Sequence, residues 1–141
     1  MKTPFHLWIV GVLSLVWNMF GAFDYVMTKT KNEAYMDQFT PEQISYFYSL
    51  PLWVNTCWAV AVWSALLGSI LLLLRMKLAV AMFALSFITL LATLVQNYVL
   101  AEVKMSDVTG QTSLVLEGII FVIALMLWVY SHMLRRRGLV R

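Results

Sequence analysis

Six side chains carry most of the chemistry this sequence offers: Asn18, Asp24, Asn55, Gln96, Asn97 and Glu117. All six stand inside long apolar runs, towards the same set of run ends. Two carboxylates among several amides have the donors and acceptors to hold a cation, a polyol or a basic residue of another protein. An ionisable group within a membrane is a candidate functional residue by default. A plainer role competes with that one. Asp24 and Glu117 are near enough to an interface to stay hydrated, and Asn18 and Gln96 can tie helices together at about 1 kcal/mol or less each.

Other chemistries find little support. His6 and His132 stand near the opposite run ends, and paired histidines on different helices can hold haem or a metal. Such a pair must face inward within a bundle, and these two are near its rim, so no cofactor or metal is expected. Cys57 is the only cysteine and sits in an apolar run, which excludes an intrachain disulfide and a cysteine-based metal site. No glycine-rich phosphate loop, nucleophile–base arrangement or zinc-type His/Glu spacing occurs. Neither catalysis nor nucleic-acid binding is expected.

The elements that must position these residues follow from composition. Of 141 residues, 62% are apolar and 12% charged, which indicates a membrane protein. A spanning helix needs about 20 apolar residues. Four segments qualify, at about 5–25, 52–74, 78–100 and 114–134, and they leave no room for a soluble catalytic domain. The whole chain, 1–141, reads as one domain.

The net charge of +3 is unevenly spread. Lys2, Arg75, Lys77, Arg135, Arg136, Arg137 and Arg141 lie at one set of helix ends with no acid among them. All seven acids (Asp24, Glu33, Asp37, Glu42, Glu102, Asp107 and Glu117) lie at the other ends, with only Lys29, Lys31 and Lys104. Basic residues flanking spans are retained in the cytoplasm. Both termini and the 75–77 turn are therefore expected inside, and the 27–51 and 101–112 loops outside. Arg75, Lys77 and Arg135–Arg137 would anchor the protein on anionic headgroups. The first run is too long for a signal peptide, and Phe20-Gly21-Ala22-Phe23 is a poor cleavage site.

Within the first run, Gly11, Ser14, Asn18 and Tyr25 share one face, where small residues allow close helix approach and an amide can bond across the gap. The stretch Trp17–Tyr25 interrupts hydrocarbon with an amide, a glycine and a carboxylate. In the longest outer loop, Thr40-Pro41-Glu42-Gln43 has the form of a capping box and predicts a short aromatic helix ending before Pro51. The second run offers Cys57, Ala61, Ser64, Ala65 and Gly68 on one side. Arg75-Met76-Lys77 allows only a tight turn, so the second and third runs must be antiparallel neighbours. The third run carries Ser86, Thr89, Thr93, Gln96 and Asn97, and the fourth Ser113, Glu117, Ala124 and Ser131. The expected fold is all-α: an up-down-up-down four-helix transmembrane bundle with a short interfacial helix in the first outer loop.

Trp17-Asn18-x-x-Gly21-Ala22-x-Asp24-Tyr25, Asn32-Glu33-Ala34-Tyr35-Met36, Phe39-Thr40-Pro41-Glu42-Gln43 and Leu67-Gly68-Ser69-x-Leu71-Leu72-Leu73-Leu74-Arg75 together carry a resemblance. The chain resembles, over nearly its whole length, a family of small four-helix inner-membrane proteins of proteobacteria. Members are mostly labelled uncharacterised, and some carry an automatic "sugar transporter" label. The resemblance implies the bacterial inner membrane and supplies no site residues. The leading expectation is a non-enzymatic protein acting by association, as an accessory subunit of a membrane complex or a self-associating bundle. The runner-up is a transporter or binding protein for a neutral polar solute such as a sugar. Four helices are too few to enclose a substrate path unless the chain pairs with itself. The absence of an acid at mid-membrane counts against proton coupling.

Overall fold

A computed structural model describes residues 4–100 and 110–141, with backbone only at 111–113. Lys2, most of the 101–112 loop (including Glu102, Lys104 and Asp107) and the Ser113 side chain lie outside the described residues. The described part is helical: α1 Phe5–Lys29, α2 Glu33–Met36, α3 Pro41–Tyr48, α4 Leu52–Leu73, α5 Leu78–Val95 and α6 Gln111–Arg136. A π-helical turn, Gln96–Leu100, continues α5. Among the described residues, four helices are long and apolar enough to cross a membrane. Helix α1 runs four residues beyond the expected Tyr25, because nothing after it breaks the helix until Lys31.

Three of the long helices end by one device. After α1, α4 and α6 the chain enters the left-handed region at Lys31 (φ 54°), Arg75 (φ 59°) and Gly138 (φ 72°). The next amide then bonds back to the helix, from Asn32 to Met27 at 3.1 Å, Met76 to Leu71 at 2.9 Å and Leu139 to Leu134 at 2.9 Å. This Schellman arrangement satisfies carbonyls that a helix end would leave open. Only Gly138 is free of the steric cost that an L side chain meets there. Between α1 and α3, Asn32 caps α2 by accepting from the Tyr35 amide at 3.0 Å. The Thr40–Gln43 capping box starts α3 with both of its reciprocal bonds formed.

Helix α4 is the centre of the packing, lying against α5 most extensively and against α1 next, while α6 packs mainly on α5. Glycines set the close approaches. A Cβ on Gly11 would fall 2.4 Å from the Leu73 side chain, and one on Gly68 would fall 3.0 Å from the Phe83 ring. The core lies at the end where the 75–77 turn and the α6 C-terminus meet, around Leu7, Leu72, Ala79, Phe83, Leu134 and Leu139. There the last residues latch onto the turn: Lys77 N–H donates to Arg141 at 2.6 Å, and Arg141 N–H donates to Arg75 at 2.7 Å. Leu139 and Val140 are buried beneath that latch.

Candidate functional site

The six polar residues have separate partners. Asn18 is buried on α1 and faces α4. Its amide nitrogen donates to the Ser69 hydroxyl at 2.7 Å and to the Ala65 carbonyl at 3.1 Å. Asp24, half-buried near the C-terminal end of α1, accepts from the Tyr35 phenol. Burial and the neighbouring carboxylate together hold that phenol protonated well above the usual tyrosine range. Asn55 accepts from Lys29 at 3.0 Å and donates to the Leu50 carbonyl at 3.2 Å, fastening the end of α1 to the start of α4. Lys29 also sits over the Trp58 ring. None of the hydrogen bonds of Asn18, Asp24 and Asn55 runs to another of the six.

Of the remaining three, Gln96 and Asn97 lie where α5 gives way to the π turn, and Glu117 is on α6. Gln96 opens that turn and is half-buried. Asn97 is almost wholly buried, 3% exposed, and its Oδ1 accepts no hydrogen bond among the described residues. Tyr98 has Glu117 of α6 as a polar partner, and both border an open groove of about 290 Å³ between the π turn and α6. Glu117 Oε2 is buried there with no hydrogen-bond partner among the described residues. An added backbone residue per turn shifts the side chains that follow it, and π turns recur at functional sites for that reason.

No family model, curated protein or solved structure matches this chain. Its own geometry therefore carries the reading of the site.

Sequence reasoning missed Tyr35 and Tyr98, the partners of the two carboxylates. Neither pairing is marked by spacing, since Tyr98 and Glu117 stand on different helices. The polar stripe on α5 divides in the structure. Ser86 donates across to the Ala61 carbonyl at 2.7 Å, whereas Thr89 and Thr93 bond back within their own helix at 2.8 and 2.9 Å. At the other end, His6 Nδ1 meets the Tyr130 hydroxyl at 2.5 Å, and no bond joins it to His132. Among the described residues no group of three His, Cys, Asp or Glu side chains could hold a metal ion. Arg135, Arg136 and Arg137 are exposed, while the Arg75 Nε–H reaches back to the Leu139 carbonyl at 3.4 Å.

Proposed function

We propose that this chain is a non-enzymatic, multi-pass membrane protein that works by association, as an accessory subunit of a larger complex or as a self-associating bundle. In this reading the bundle runs up-down-up-down in the bacterial inner membrane, with both termini cytoplasmic and α3 lying in the outer interface. The resemblance to small four-helix inner-membrane proteins agrees with it. The observation that carries the reading is the poor cover of α6. A third of the membrane window of α4 is buried, but only 11% of that of α6. Meanwhile the polar groups of α1, α4 and α5 at Asn18, Ser69 and Ser86 are engaged in holding those helices together. Such interhelical bonds are ties rather than recognition surfaces.

The test joins native mass spectrometry of the gently extracted protein to a cross-link. Val122, on the exposed face of α6, is replaced by cysteine in a chain whose Cys57 has been changed to serine. Association predicts masses above the 16.2 kDa monomer and a disulfide or bifunctional cross-link at position 122. Monomers alone, with no cross-link in native membranes, would reject it.

A second reading, a site for a neutral polar solute such as a sugar, draws on one observation: the buried Oδ1 of Asn97, which has no hydrogen-bond partner among the described residues. Proteoliposomes that neither bind nor pass labelled monosaccharides would exclude it.

A further inference from the structure

The groove between the π turn and α6 differs from an ordinary lipid-facing furrow in its single ionisable residue. Its lining residues are aliphatic apart from Tyr98, Glu117, Gly118 and Phe121. One oxygen of the Glu117 carboxylate is buried and accepts no hydrogen bond from the described residues. An ionised carboxylate kept from water is costly, and a positive group is what offsets the cost. The two rings border the same space, and an aromatic face attracts a cation that has shed its water. Next to the carboxylate, Gly118 leaves room: a Cβ there would meet nothing within 4 Å.

These features select among occupants. A bare acyl chain would fill the groove and leave Glu117 Oε2 unpaired. A second copy of the same face would bring another carboxylate to the first. A sugar would bring many hydroxyls to a wall of hydrocarbon, where each lacks a partner. We propose that the groove binds a lipophilic ammonium compound. Its charged nitrogen pairs with Glu117 between the Tyr98 and Phe121 rings, and its apolar substituents lie along the aliphatic wall. Entry is sideways from the bilayer. At about 290 Å³ the space is at the small end of ligand pockets and suits a head group with short substituents. The inference does not require the protein to associate, and it stands or falls separately from the preceding reading.

The test uses the purified full chain in lipid nanodiscs at mildly alkaline pH, with hexyltrimethylammonium as the probe and hexanol as its neutral counterpart. Calorimetry is expected to show saturable binding of the ammonium and none of the alcohol. Glu117→Gln keeps the shape and removes the charge, and should weaken binding by roughly tenfold or more. Gly118→Leu keeps the charge and fills the space, and should abolish binding, whereas Asp24→Asn should leave it unchanged. Should Glu117→Gln fail to fold, the wild-type chain still decides. A hydrophobic carbodiimide should label Glu117, located by peptide mass spectrometry, and the ammonium should slow that labelling at least several-fold. Equal binding of hexanol, undiminished binding by Glu117→Gln or Gly118→Leu, no labelling, or labelling that the ammonium leaves unslowed would each overturn the proposal.

Discussion

Replacing Asn18 and Ser69 singly and together by alanine measures how far the α1–α4 pair depends on one buried amide. Asn18 donates to two acceptors, Ser69 Oγ at 2.7 Å and the Ala65 carbonyl at 3.1 Å. Ser69 separately donates to the same Ala65 carbonyl at 3.1 Å. Interhelical hydrogen bonds in membranes average about 0.6 kcal/mol and reach about 1.7. Asn18→Ala loses both bonds and should cost about 1–2 kcal/mol. Ser69→Ala loses one acceptor and leaves the bond to Ala65, so it should cost about 0.6 kcal/mol. Once Asn18 is alanine, the second substitution has no partner on α1 left to remove, and the cycle should return a coupling of about 0.6 kcal/mol. Steric-trap unfolding in bicelles resolves differences of this size. A coupling near zero, with each single variant as stable as the wild type, would refute the claim that this amide joins the helices.

Three further outcomes follow from the packing. Gly11→Ala places a methyl on the Leu73 side chain and should destabilise by about 1–3 kcal/mol, with Leu73→Ala restoring part of the loss in the double variant; independent, additive effects would contradict the close approach. Leu139→Ala should cost about 2 kcal/mol or more, because it empties core space under the C-terminal latch, and it should raise hydrogen exchange at the Lys77 and Arg141 amides. The Tyr35–Asp24 link should fail only in alkali. Its phenol keeps its proton to a higher pH in the folded chain than in the unfolded one, where tyrosine ionises near about 10. Its contribution is therefore complete below that value and is lost as pH rises towards the folded pKa. Limited proteolysis of the 27–51 loop should rise with pH above about 10 in the wild type. In Tyr35→Phe the link is already missing at neutral pH, so cleavage there should be faster and that alkaline step smaller.

The sequence marks the spans well because four runs of hydrocarbon leave few alternatives, and the capping box of α3 is a local signal that needs no tertiary context. The small-residue face of α1 is legible for the same reason: helical periodicity alone places Gly11, Ser14 and Asn18 together, and all three are buried. Partners across helices are another matter. That Asn18 meets Ser69 rather than a residue of the third or fourth run depends on rotation and depth, which composition does not encode. The π turn is equally silent in sequence, since Gln96–Leu100 has no proline or glycine to signal it. Asn18, Asp24 and Asn55, which share one end in the sequence pattern, each bond to a different neighbouring segment. Glu117 and Tyr98 become neighbours only because α6 lies against α5.

Helices α1 and α6 touch at His6 and Tyr130 and then part, leaving a furrow of about 300 Å³ bordered by Val10, Leu13, Trp17, Ile123 and Leu127. The furrow is open to the surroundings, and a void against its apolar walls would forfeit their dispersion contacts. Hydrocarbon from the surroundings must occupy it, so part of what functions as this protein's interior is borrowed from the solvent. Lipids whose tails are too stiff to bend into the furrow should lower the unfolding temperature even where bilayer thickness is matched.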